Sequence, residues 1–101
     1  MSHYVYILAS KRNGTLYIGV TRNLAGRVQQ HKMDSTDSFT KKYQIHTLVY
    51  YEEYEKAEDA IVREKRLKKW DRQWKIELIE KNNPQWRDLN DDFLDPQSSW
   101  G

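Results

Sequence analysis

Asn13-Gly14 lies between two short runs of strand-type residues, and this dipeptide limits the possible folds more than any other feature of the chain. Both residues tolerate the positive φ that a tight chain reversal needs, so Asn-Gly flanked by β-branched and aromatic residues specifies a hairpin. The run before it, Tyr4 to Ala9, is apolar, aromatic and β-branched. The run after it, Leu16 to Val20, is of the same kind and reads as the returning strand. Gly19, inside that second run, marks a bulge or a place where other atoms come close to the backbone.

The remaining segments alternate between the two periodicities. Thr21 or Asn23 can cap a helix running to about Lys32, with Leu24 and Val28 on its apolar face. Arg27 and His31 are four apart and share a neighbouring face of that helix. Met33 to Ser38 is polar and turn-like. Thr47 to Tyr51 reads as a third strand that extends toward Tyr54. Lys56 to Trp70 has a helical period, with Ala57, Ala60, Ile61, Leu67 and Trp70 as its apolar positions. Arg72 to Lys81 follows as another helix, carrying Trp74, Ile76, Leu78 and Ile79. Asn82-Asn83-Pro84 should end it, because the residue before proline avoids the helical region. Trp86, Leu89 and Phe93 are expected to pack back on the body. The pattern predicts an α+β domain over residues 1–90, a three-stranded, mostly antiparallel sheet flanked by helices. Residues 91–101 read as an acidic, flexible tail.

Cysteine is absent, which excludes disulfides and thiolate metal sites and fits a reducing cytoplasm. No apolar run is long enough to span a bilayer. The net charge is only +2, yet it is unevenly distributed. Seven bases (Arg63, Lys65, Arg66, Lys68, Lys69, Arg72 and Lys75) face two acids between residues 63 and 75, a net of +5. Such a segment is either a solvated helix face or a surface for an anionic partner. The many aromatics, seven Tyr and four Trp among them, build a core in most small domains and stack on bases in a minority.

Glu64 breaks a pattern. Positions 57, 60, 61, 64 and 67 form one stripe of the long helix, and all but Glu64 are apolar. A carboxylate on a packing face requires a cation or several donors. A salt bridge to a nearby Arg or Lys is one solution. A divalent ion is another, since Mg²⁺ favours one or two carboxylates completed by water and phosphate oxygens.

Val5-Tyr6-Ile7, then Tyr17-Ile18-Gly19, then Arg27 and His31 on a helix, then a helical Glu64, together resemble the GIY-YIG nuclease pattern in order and spacing. The resemblance runs from about Tyr4 to Leu89 and is strongest to the small stand-alone bacterial members, the UPF0213 type. Those share stretches like Phe39 to Tyr43, Leu48 to Glu52, Ala60 to Lys65 and Asn83 to Leu89. The resemblance implies hydrolysis of a phosphodiester. It makes Tyr17 the general base or water-orienting group, assisted by Tyr6. It gives Arg27 the scissile phosphate, places His31 near the nucleophile or Tyr17, and assigns one Mg²⁺ or Mn²⁺ ion to Glu64. A guanidinium and a metal suit a transition state that gathers negative charge on non-bridging oxygens. Tyr4 replaces the first glycine of the family's name, and Val20 and Thr21 stand where a lysine is often found. A late asparagine usually completes the site. Asn82 and Asn83 both qualify, and Asn83 is equally suited to a helix C-cap.

The expected partner is DNA, with RNA as a further option. Lys41 and Lys42, and the helical Lys65, Arg66, Lys68, Lys69 and Arg72, are the expected backbone contacts. With no appended DNA-reading motif, the domain must recognise its substrate itself or be delivered by a partner protein. Single-stranded or branched DNA suits about 100 residues better than a long duplex site. The alternatives are a non-catalytic nucleic-acid-binding module with the same fold, and a protein-interaction domain using the Trp-rich C-terminal half.

Overall fold

The hairpin forms around Asn13-Gly14, through a loop over residues 10–15 rather than a two-residue turn. In the computed structural model, which describes residues 2–33 and 45–89, Asn13 takes φ 59°. Gly14 N donates to Lys11 O at 2.8 Å and Ser10 N to Thr15 O at 3.0 Å, closing the turn. Strands β1 (His3–Ala9) and β2 (Leu16–Thr21) pair antiparallel on either side of it. Asn23 Oδ1 accepts from Gly26 N at 3.1 Å, so Asn23 caps helix α1 (Leu24–Met33). Thr21 Oγ1 accepts from Asn23 N and shapes the turn that leads into it.

Strand β3 (Thr47–Tyr54) pairs antiparallel with β1 on the side away from β2, so the sheet order is β2-β1-β3. Between Ile7 and Leu8 the register slips: Ile7 faces Tyr50 and Leu8 faces Leu48, which leaves Val49 as a bulge. Helices α2 (Ala57–Lys69) and α3 (Arg72–Asn82) follow.

Strand alternation divides the core into two layers. Val5, Ile7 and Ala9 of β1, with Ile18 and Tyr50, meet Ala60 and Leu67 of α2, Ile79 of α3 and Trp86. Tyr6 and Leu8 face the other way, onto Leu24 and Val28 of α1, with Ile45 and Leu48. Side chains of this size contribute about 1.5–3 kcal/mol each when fully buried. Two positions on the predicted stripe of α2 differ from expectation. Ala57 and Ile61 are exposed, because α2 lies on the sheet through the narrower Ala60–Glu64–Leu67 line.

The segment after α3 secures the β3 edge. Asn83 is buried, and its side chain donates to Val49 O at 3.1 Å and to Arg87 O at 2.8 Å. It also accepts from Arg87 N at 3.1 Å. The bulge takes Val49 out of the ladder, and Asn83 satisfies its carbonyl. Leu89 N donates to Leu48 O, and Asp88 accepts from Leu48 N, so an edge that would otherwise be open is occupied. Trp86 and Leu89 pack back as expected. Phe93 and the acidic tail at 91–101 lie outside the described residues, as do Lys41 and Lys42.

Candidate active site

The two tyrosines of the motif meet because of strand register. Tyr6 stands opposite Gly19, and Tyr17 opposite Leu8, all on the α1 face of the sheet. The Tyr6 and Tyr17 rings lie 6.3 Å apart, tilted by 41°. A Cβ at Gly19 would come within 2.5 Å of Tyr6 Oη. Glycine is therefore required at that position, since it lets the Tyr6 phenol lie over the backbone of β2. Tyr6 is 1% exposed, whereas Tyr17 is only partly covered. Tyr17 is the more accessible of the two phenols.

Arg27 lies exposed on α1, beside the buried Val28. His31 falls one turn further along the same helix, and its side chain is outside the described residues. Glu64 comes from α2, across the sheet from α1. Its side chain is 13% exposed, on the line between the fully buried Ala60 and Leu67. Its carboxylate is 2.6 Å from Lys68 Nζ, an i,i+4 pair in which the lysine is 54% exposed. The salt bridge anticipated for a carboxylate in this stripe is thus present, to a lysine whose own side chain remains largely in solvent.

A second carboxylate, not singled out from the sequence, is far more heavily engaged. Glu52 on β3 receives Arg63 Nε at 3.0 Å and a second Arg63 nitrogen at 2.9 Å, Tyr54 Oη at 2.6 Å, and the Tyr50 hydroxyl. Burial alone would raise the Glu52 pKa, but hydrogen bonds from Arg63, Tyr50 and Tyr54 outweigh it and hold the carboxyl below its ordinary range. Burial and the Glu52 charge push the Tyr54 hydroxyl up to about 12, and Tyr50 higher still. Arg63, raised chiefly by its bond to Glu52, stacks its guanidinium 5.0 Å from the Trp70 ring centroid. The local sequence signal was Glu52 alternating with Tyr50 and Tyr54 on one strand; the arginine comes from another element.

The basic segment does several jobs. Lys65, Arg66 and Lys69 are exposed on α2. Lys68 is shared with Glu64. Arg72, expected on the nucleic acid, instead directs one guanidinium nitrogen to Asn13 O at 2.5 Å and Gly14 O at 2.6 Å, and so fastens α3 to the hairpin turn. Lys75 Nζ donates to Lys68 O at 3.4 Å, beside a cleft of about 470 Å³ that Arg72 and the turn also line. Asn83, the candidate for completing the site, is the C-cap residue of α3 and spends its amide on backbone groups, a structural duty.

No group of three or more His, Cys, Asp or Glu that could hold a metal occurs among the described residues. A complete protein cage is therefore not built by them. A lone carboxylate with one weak partner fits a different kind of ion, one that takes most of its ligands from water and substrate phosphate. Glu64 has that character and Glu52 does not.

A hairpin carrying paired tyrosines, a helix with an outward arginine and a second helix with a half-hidden glutamate define a class. The GIY-YIG catalytic domain matches residues 2–77, and the chain belongs to the GIY-YIG family of nuclease domains. Its relatives include UPF0213 proteins of Staphylococcus haemolyticus and Staphylococcus aureus. Each is 37% identical over 78 residues, covering 77% of this chain and 94% of the relative. The fold is also similar to the solution structure of a UPF0213 protein from Bacillus halodurans. That likeness has a TM-score of 0.55 and 25% identity, over 90% of this chain and 96% of the other. Among the described residues, no helix is long and apolar enough to cross a membrane.

Proposed function

We propose that this protein is a metal-dependent endonuclease that hydrolyses phosphodiester bonds in DNA, with single-stranded or branched DNA as the preferred form. The observation that carries the reading is Glu64: a carboxylate on the packing line of a helix, 13% exposed, and restrained among the described residues by one exposed lysine. A purely structural acid in that setting would be expected to collect donors as Glu52 does.

In this reading a water oxygen attacks phosphorus, and the bond from phosphorus to the leaving sugar oxygen breaks. The products are a phosphate monoester end and a hydroxyl end. Tyr17 orients the water and accepts its proton or passes it on, with Tyr6 holding the phenol in place. Arg27 provides a planar pair of donors to the non-bridging oxygens, where charge accumulates. His31 belongs beside the nucleophile. Glu64 would hold one Mg²⁺ or Mn²⁺ ion, which when bound supplies positive charge to the phosphate and the leaving oxygen. Lys65, Arg66 and Lys69 steer the backbone by charge.

The test is incubation of purified protein with labelled single-stranded, duplex and branched DNA in Mg²⁺, Mn²⁺ or EDTA, beside Glu64→Gln. Cleavage by the wild type in metal, absent in EDTA and lowered at least on the order of 10²-fold in the variant, is the expected result. A variant that cuts at the wild-type rate removes Glu64 from the mechanism. A wild type that binds DNA without cutting it under any condition would point to the binding module.

A further inference from the structure

Trp74 is 55% exposed, yet it is held rather than loose. Its ring packs edge-on against Trp70 with centroids 5.8 Å apart. Trp70 is in turn packed on the core and stacked beneath the Arg63 guanidinium, which Glu52 clamps with two nitrogens. A partly buried ion pair therefore sets the position of a surface indole. Trp74, Glu77, Leu78 and Lys81 follow one another at helical spacing along α3, and with Trp70 they line a cleft of about 350 Å³.

We propose that this cleft is a subsite for one unstacked nucleobase of a single-stranded nucleic acid, separate from the Glu64 site. The inference rests on the nuclease reading for its substrate class but not for its geometry. An indole ring offers a stacking surface to any base that is not already paired. Lys81 at the end of the cleft can meet the flanking phosphate. Glu77, which already accepts from Gln73 Nε2 at 3.3 Å, is acceptor-only and would repel a phosphate placed on it. It suits instead the exocyclic amino group of cytosine, adenine or guanine, which thymine lacks.

The surrounding charge favours nucleic acid over a second copy of the chain. Trp74 lies within the 63–75 segment, whose seven bases and two acids net +5. A two-fold dimer through this patch would bring two such segments together, and like charges across an interface are unfavourable. A polyanion meets no such penalty.

The experiment is fluorescence anisotropy with labelled 12-nucleotide oligo-dC, oligo-dT, an abasic strand of the same length and a duplex, all in EDTA so that nothing is cut. Trp74→Ala should weaken oligo-dC binding roughly ten-fold, Trp74→Phe should recover most of it, and neither should alter abasic or duplex binding. The wild type should prefer oligo-dC over oligo-dT, and Glu77→Gln should narrow that preference. Thermal melting and size-exclusion chromatography accompany each variant. Unchanged oligo-dC affinity in Trp74→Ala overturns the subsite. So does an equal loss on the abasic strand, or a shift in oligomeric state with no change in DNA binding. Cleavage is scored separately. A protein that never cuts but shows the Trp74 effect loses the nuclease reading and keeps the subsite; one that cuts normally in Trp74→Ala with unchanged binding does the reverse.

Discussion

Glu52 and Glu64 are the same side chain in two states of engagement, and the contrast shows how a fold separates structural from chemical groups. Glu52 sits at the junction of β3 and α2, where an arginine and two phenols converge on it. Nearly all of its acceptor capacity is used, and its charge fixes the direction of Arg63 and, through it, Trp70. Glu64 is the next residue after Arg63 on the same helix and is equally withdrawn from solvent, yet it has one lysine as partner. Withdrawal from water is common to both. The number of fixed donors distinguishes them: a saturated carboxylate locks the structure, and an under-coordinated one retains capacity for a ligand.

The largest effect should come from exchanging the two acids as targets. Glu64→Ala is expected to lower cleavage on the order of 10²–10³-fold, about 3–4 kcal/mol of transition-state stabilisation, with the melting temperature almost unchanged. Glu52→Ala should do the converse. It leaves a partly buried guanidinium and two phenols without their acceptor, a loss of about 2–3 kcal/mol and roughly 10 °C or more in melting temperature, measurable by calorimetry. If Glu52→Ala melts like the wild type, the cluster is not the lock described above.

Asn83→Ala addresses whether the late asparagine belongs with Glu52 or with Glu64. It removes the amide that serves Val49 O, Arg87 O and Arg87 N, so it should cost about 2 kcal/mol. Activity per folded molecule should be retained. A stable variant with abolished turnover would instead move Asn83 into the chemistry.

Proton linkage sharpens the comparison further. The Glu52 pKa is lowered in the folded protein, so its contribution is present above the ordinary carboxylate value and is lost as pH falls through the folded value. Tyr54 is raised from 10.0 to about 12, so its contribution is complete below pH 10 and is lost as pH rises toward 12. Melting curves should therefore show destabilisation at both extremes, and Glu52→Gln should reduce both slopes. Retention of both slopes in that variant would assign them to other groups.

The smallest effect is the most diagnostic for Glu64. Lys68→Met removes its only partner among the described residues and should lower the Mg²⁺ concentration for half-maximal cleavage roughly two- to five-fold, with a stability change of at most about 0.5 kcal/mol. A loss of DNA affinity without any change in metal dependence would make Lys68 a phosphate contact instead.

Much of this molecule is written in local pattern. Asn13-Gly14 located the hairpin because the positive φ that Asn13 adopts is one an asparagine tolerates by itself. Periods of two and 3.6 located the three strands and three helices of the described residues, and the break at Glu64 was visible as one acid in an apolar line. The motif order carried Tyr6, Tyr17, Arg27 and Glu64 for the same reason, since linear spacing survives in a one-dimensional reading. Other features depended on which elements meet in space. Arg72 looked like part of a nucleic-acid surface, and the turn 58 residues before it made it a tether. Asn83 had two readings, and a bulge 34 residues upstream decided for the structural one. Glu52 showed only its alternation with Tyr50 and Tyr54, because its main partner, Arg63, arrives on helix α2. Backbone conformation is set by near neighbours along the chain, whereas the state of a polar side chain is set by whichever donors the packed sheet and helices bring within about 3 Å.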